Sequence, residues 1–290
     1  MLEGLKRRFP ALSRVSRAIR WRRHLASDWA AVALFRGTRE VETPLGFRLR
    51  AGRAEANRMM QDGRFEPEET MVLQQHLKVA DVFVDVGANV GLYTCLARQM
   101  GKHVVACEPQ ELNLECLYSN LRSNGWADIE VFPLGLADRP GLASLYGASG
   151  PSASLVSGWA GYSRRYAQTI ALSTLDILVG GRFEGKKLLI KIDVEGAEFG
   201  VLQGAGQVMR RQPSPTWMVE VCLTEFHPTG MNPYFLETFE RFWDLGYEAR
   251  LANQSGRVVT REDVRRWADA KKTDDGVFNY LFAPASSRAR

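Results

Sequence analysis

The chain reads as an α/β protein: a doubly wound, mostly parallel sheet of seven strands behind a helical N-terminal extension. Three observations carry this. Short apolar runs near 82–86, 103–107, 129–133, 187–192 and 216–222 alternate with helical patterns near 91–100, 110–124 and 196–211, as parallel strands with right-handed crossovers require. The first run ends in a glycine-rich turn that opens a helix, the mark of a Rossmann-like nucleotide site. At 290 residues, 45% hydrophobic and 24% charged, the chain is long enough for one α/β domain and an extension.

Taken in order, residues 1–64 form the extension and 65–290 the main domain. Residues 1 to 40 look helical, and residues 1 to 23 carry eight Lys or Arg against Glu3, although the whole chain is only +5. Leu5, Phe9, Leu12, Val15 and Ile19 recur at three- and four-residue steps, so the segment is a basic amphipathic helix able to lie on an anionic membrane surface. Docking on its own domain, or a solvated tail, is the plainer alternative. A nucleic-acid partner is not expected, because the remaining chain has no basic excess with interleaved aromatics to track a phosphate backbone. Thr43 to Arg50 reads as a hairpin or edge strand, and Glu66 to Lys78 as a helix whose acidic start suits its dipole. After the five core strands, runs at 247–252 and 277–283 complete seven. Some 45 residues rich in Gly, Ser and Tyr separate strands three and four, too many for a crossover alone, so a lid or substrate wall is expected there.

The turn has the spacing Asp85-x-Gly87-x-x-x-Gly91, with Asn89 where dinucleotide sites place a glycine under the pyrophosphate. It suits a cofactor lacking a pyrophosphate, such as S-adenosylmethionine, better than NAD. Glu108, ending the second strand 21 residues beyond Gly87, is placed to accept hydrogen bonds from both ribose hydroxyls. Asp85 could orient the turn or meet a ligand amino group. Strand four delivers Asp193 and then Glu195 to the same carboxyl edge, where open sheets bind ligands. Strand five carries Glu220, with Glu225 and His227 following. A carboxylate or imidazole there can take a proton from a hydroxyl nucleophile, making Asp193, Glu195, Glu220 and His227 the catalytic candidates. Asp193, Glu195 and Glu220 together would also suit Mg²⁺, but nothing in the sequence requires an ion and no metal set is assigned. Asn232-Pro233-Tyr234-Phe235 looks superficially like a flipped-base pocket motif, but it follows the wrong strand and lacks a second proline.

FVDVGANVGLYT, CEP with Asn113 and Asn120 beyond it, VFPLGLAD, SASL at 152–155 and above all LLIKIDVEGAEFGVLQGA at 188–205 resemble the FkbM family of S-adenosylmethionine-dependent methyltransferases, over roughly residues 65 to 283. The resemblance implies a class I methyltransferase fold whose last strand is antiparallel, S-adenosylmethionine as cofactor, and O-methylation of a small hydroxylated acceptor, a sugar or secondary metabolite. Many methyltransferases bind the adenine amino group with an aspartate where this chain has Leu136. Adenine contacts near Leu136 therefore fall to backbone groups, Asp138, Ser152 or Ser154. Acceptor contacts are expected from residues 1–70 and from Trp159, Tyr162, Arg164, Arg165 and Tyr166. The competing expectation is a non-catalytic scaffold that keeps the fold. An NAD-linked oxidoreductase would need a pyrophosphate turn and a Tyr/Lys pair that the sequence lacks. Cys95, Cys107, Cys116 and Cys222 show no paired spacing and read as buried thiols of a reducing, cytoplasmic compartment.

Overall fold

The computed structural model describes residues 38–147, 153–161, 167–274 and 276–285; the basic amphipathic segment, Ser152 and residues 162–166 lie outside them. The chain enters through an antiparallel hairpin, β1 (Val41–Glu42) and β2 (Arg48–Leu49). Helices α1 (Ala54–Gln61) and α2 (Pro67–Leu77) follow. Pro67 sits in the first turn of α2, where a missing N–H costs nothing, and Glu68 and Glu69 face the positive end of its dipole.

The core then alternates β3 (Val82–Val86), α3 (Leu92–Gln99), β4 (His103–Cys107), α4 (Glu111–Ser123) and β5 (Glu130–Phe132). A small sheet interrupts it: β6 (Gly135–Leu136), β7 (Gly141–Tyr146) and β8 (Ala167–Ser173), in the order β6-β8-β7. The alternation resumes with β9 (Leu188–Ile192), α5 (Glu198–Gln203), β10 (Thr216–Glu220), α6 (Phe235–Trp243), β11 (Tyr247–Leu251), β12 (Val258–Val259), α7 (Arg261–Ala270) and β13 (Asn279–Pro284). The main sheet runs β12-β11-β13-β10-β9-β3-β4-β5. Neighbours from β10 through β5 pair parallel, while β13 is antiparallel to both β10 and β11.

All seven expected strands are present, and the count rises to eight. The addition, β12, is a two-residue antiparallel edge on β11, too short to show a period-two signal. Central strands β3 and β9 are buried at every position, as strands covered by helices on both faces must be. Val82, Val84 and Val86 pack into one core with Trp217, Phe239 and Phe242, and Phe83 points into the other with Leu96 and Leu117. Helices α1, α6 and α7 were not anticipated. For α7 a signal existed: Thr260 and Asp263 form a reciprocal capping box. The four cysteines are buried and none forms a disulfide. Among the described residues no helix is long and apolar enough to cross a membrane.

Candidate active site

The carboxyl ends of β3, β4, β9 and β10 converge on one cleft. It is lined by Gly87 and Asn89 from the turn, Glu108 and Asn113, Leu134 to Leu136, and Asp193 to Glu195 with Glu220. Phe65 and Glu66, ahead of α2, close one side, and Leu145, Ala153, Leu155 and Ile170 of the small-sheet insertion close another.

The turn is built by close approach. Gly87 has φ +86, and a Cβ there would lie 1.8 Å from the Asp193 carbonyl oxygen, so β3 and β9 end back to back and only glycine fits. Asp193 N–H donates to Val86 O at 2.9 Å, and Gly87 and Ala88 N–H both donate to Cys107 O. Three strand ends are thereby tied into one platform. Gly91 lies outside the cleft, opening α3 at φ +92 against the Leu117 side chain. Asp85 is also not a lining residue. It is 1% exposed, and its Oδ2 accepts from Thr94 Oγ1 at 2.6 Å, a latch between strand and helix. Burial pushes its carboxyl up.

Glu108 is buried and held by three donors: Asn89 N–H to Oε2 at 2.8 Å, Gln110 N–H to Oε1 at 2.8 Å, and Asn113 Nδ2 to Oε1 at 3.3 Å. Burial pushes its carboxyl up to about 7, against these donors. Beside it, Asn113 Oδ1 is buried with no hydrogen-bond partner. A carboxylate and an orphaned acceptor side by side in a cleft wall call for a ligand with neighbouring donors, and the vicinal hydroxyls of a ribose fit that demand. The adjoining wall, Pro109, Leu134, Gly135, Leu136 and Ile170, is apolar and could take a flat base. Leu136 is 2% exposed, so its side chain is wall rather than hydrogen-bonding group. Of the polar adenine partners anticipated, Asp138 is solvent-exposed and Ser154 donates to Glu195 O at 2.5 Å.

The other end of the cleft is acidic. Asp193 accepts from Lys191 Nζ at 2.7 Å, and the Lys191 side chain is only 4% exposed. Burial would raise the Asp193 carboxyl, but the Lys191 ammonium beside it and hydrogen bonds from Lys191 and Glu220 hold it below the usual range. Glu220 behaves oppositely: burial, then the charges of Asp193 and Glu195, push it well up. Glu66, at φ 42, accepts from Tyr93 Oη at 2.5 Å. Glu195, at φ 57, lines the cleft with its Oε2 held by Trp159 Nε1 at 2.7 Å. Trp159, anticipated as an acceptor-stacking residue, is instead 1% exposed and packs on Gly196, where a Cβ would fall 2.4 Å from its ring. His227 does not line the cleft. Its ring meets Trp159 edge-on at 5.6 Å and its Nδ1 lies 3.1 Å from Thr229 Oγ1, and burial lowers its pKa.

Two charged residues escaped the sequence reading. Glu198 is buried, accepts from Gly196 N–H at 2.9 Å and Val194 N–H at 3.3 Å, and so shapes the loop that presents Asp193 and Glu195. Lys191 interrupts an apolar strand, and that interruption was the available signal. Its ammonium also occupies the cation position on Asp193, and among the described residues no three His, Cys, Asp or Glu side chains are grouped to hold a metal ion. Asn232, from the decoy motif, ties the loop after β10 through Nδ2 to Cys222 O and is not a lining residue.

A sequence model described as the methyltransferase FkbM domain matches residues 85–249. The hexuronic acid methyltransferase AglP of Haloferax volcanii is 29% identical over 206 residues, covering 70% of this chain and 77% of that protein. Among solved structures, the chain is loosely similar to the TehB-like SAM-dependent methyltransferase from Corynebacterium glutamicum, with TM-score 0.42 and 10% identity over 79% of this chain and 94% of that one. The O-methyltransferase from Bacillus cereus in complex with SAH gives TM-score 0.39 and 13% identity over 75% and 80%.

Proposed function

The chain belongs to the FkbM methyltransferase family, with S-adenosylmethionine as its cofactor, and on that premise we propose that it methylates a hydroxyl of a saccharide, a hexuronic acid foremost. The observation that carries the choice of nucleophile is the acidic end of the cleft, where Glu66, Asp193, Glu195 and Glu220 stand together. A carboxylate acceptor would meet like charge there and would need no base. A neutral hydroxyl at the transfer point needs a proton acceptor and meets no like charge itself, the sugar's own carboxylate being turned away from that end. The saccharide class is supported by the likeness to a hexuronic acid methyltransferase.

When bound, S-adenosylmethionine supplies an electrophilic methyl group on a sulfonium. The chain's own work is then positioning and proton handling. In this reading Glu108 and Asn113 Oδ1 receive the ribose hydroxyls at one end. The acceptor hydroxyl is held at the other, donating its hydrogen bond to Asp193, which aligns the oxygen as well as receiving its proton. The proton grows acidic as the new C–O bond forms, so a carboxylate kept below its usual pKa is still a sufficient acceptor. Trp159 and Glu198 fix the loop that carries this group.

The test is product analysis. Methyl glycosides of hexuronic acids and of neutral hexoses are incubated with protein and S-adenosylmethionine, and the products are treated with mild base. An ether survives that treatment and an ester does not. A base-stable monomethyl product from a hexuronide is expected. A base-labile product would move the reaction to the carboxyl group, and Asp193→Asn turning over at the wild-type rate would remove Asp193 from the chemistry.

A further inference from the structure

We propose that Lys191 is the positioning residue that divides one proton between two carboxyls, keeping Asp193 ionised toward the acceptor and leaving Glu220 as the acid behind it. This rests on Asp193 facing the acceptor hydroxyl, as above, but concerns the resting protein.

The geometry is that of a lysine with no other assignment. Lys191 sits at the centre of the sheet, on β9 between β3 and β10, at a register position facing Asp85 on one side and Met218 on the other. A lysine there costs several kcal/mol of ion desolvation unless it is paired. Its ammonium donates to Asp193 Oδ2 at 2.7 Å and lies 4.8 Å from the centre of the Tyr93 ring. The groups facing it come from every neighbouring element: Asp193 from its own strand, Asp85 from β3, Tyr93 from α3 and Glu66 from the turn before α2. Glu220 of β10 reaches it through Asp193, and Glu69 and Glu195 act one shell farther out, on Glu66 and Glu220. One buried cation thus stands among four acidic groups that cannot all be ionised.

Position decides which of them is. Asp193 is in direct contact with the ammonium. Asp85 is bound instead by Thr94, and Glu66 by the Tyr93 hydroxyl. Glu220 has the Cys222 thiol at 3.4 Å as its other neighbour, a weak donor. Asp193 and Glu220 directly follow the paired residues Ile192 and Val219 on neighbouring strands and line the same cleft; two carboxyls so placed share one proton, and the one touching the cation gives it up. The consequence for transfer is a one-way arrangement. The acceptor's proton moves onto the carboxylate that faces the cleft, while the second carboxyl already holds its own proton and stabilises that carboxylate by donating to it.

The experiment needs no acceptor. Protein labelled with ¹³C in Asp and Glu side-chain carboxyls, saturated with S-adenosylhomocysteine, is titrated by NMR from about pH 5 to about pH 9, with resonances assigned through Asp193→Asn and Glu220→Gln. Asp193 is expected to stay in its carboxylate position throughout and Glu220 to remain an acid at neutral pH. In Lys191→Met Asp193 gains a titration step inside this window, at least about a tenfold gain in proton affinity, and Lys191→Arg removes that step. A merely structural lysine would change melting or cofactor affinity without moving that resonance. Should Lys191→Met fail to fold, Glu220→Ala with its lysine intact decides: Asp193 remains a carboxylate at about pH 6 if Lys191 is in control. Asp193 titrating in Glu220→Ala, or standing unmoved in a folded Lys191→Met, overturns the proposal. Neither result depends on which saccharide, if any, is methylated.

Discussion

A carboxyl that is buried, triply hydrogen-bonded and still raised to about 7 is a sensitive reporter, and Glu108 is that group. In the proposed binding mode the ribose hydroxyls donate to the carboxylate, so cofactor binding would first remove any proton from it. Affinity for S-adenosylmethionine should therefore strengthen as pH rises through 7. With a midpoint near 7 the gain is about tenfold between about pH 6 and pH 8, levelling above. Calorimetric titration across that range checks it, and Glu108→Gln should bind more weakly and with a flat pH dependence. Position, spacing and residue type singled out Glu108 in the sequence, and the structure places it in the cleft wall. Trp159 was misjudged at the same scale, because an aromatic beside tyrosines and arginines gives no sign that its ring is buried against Gly196. Lys191 was passed over because an isolated charge in an apolar run has meaning only once its facing carboxyls, far apart in sequence, are known.

Among elements, the insertion between β5 and β9 departs furthest from a plain crossover, and its coupling to the loop after β9 is specific. Trp159 Nε1 binds Glu195, Ser154 Oγ binds the Glu195 carbonyl, and the indole lies on Gly196. Removing the ring leaves a cavity and takes away the indole hydrogen bond to Glu195. Trp159→Ala is expected to cost about 3 to 5 kcal/mol in stability. Trp159→Phe should keep most of that and lose only the hydrogen bond, about 1 to 3 kcal/mol as a bond to a charged group. Denaturant unfolding of both variants checks the order, and equal losses would mean that the bond rather than the packing joins insertion to loop. The parallel core strands were legible because burial on both faces forces continuous apolar runs, as in Leu188–Ile192. The two-residue β12 left no such trace, and the three-stranded insertion sheet could be anticipated only as excess length, since β7 is largely exposed and carries little hydrophobic pattern.

Across the whole molecule, two buried carboxyls, one in the cleft wall and one behind the loop after β9, oppose folding when they ionise. Glu108 and Glu198 are both raised to about 7, each first by burial. A carboxyl raised in the folded state favours folding most below its unfolded value of about 4.5 and loses that contribution as pH climbs through 7. Cofactor-free protein should accordingly melt at lower temperature at about pH 7.5 than at about pH 5.5, and S-adenosylmethionine should protect more at the higher pH. Thermal melts with and without cofactor would show this, and a melting temperature that rises over the same interval would contradict it.

The proposed division of labour along the cleft, cofactor at Glu108 and proton transfer at Asp193, is tested most directly by one comparison. Methyl transfer from labelled S-adenosylmethionine to a methyl hexuronide is measured for the wild type, Glu108→Gln and Asp193→Asn, with the cofactor Kd determined for each. Glu108→Gln should raise the cofactor Kd while keeping most of kcat at saturation, and Asp193→Asn should lower kcat by about 10² to 10⁴-fold with Kd unchanged. Loss of cofactor affinity in Asp193→Asn together with undiminished binding in Glu108→Gln would contradict the account.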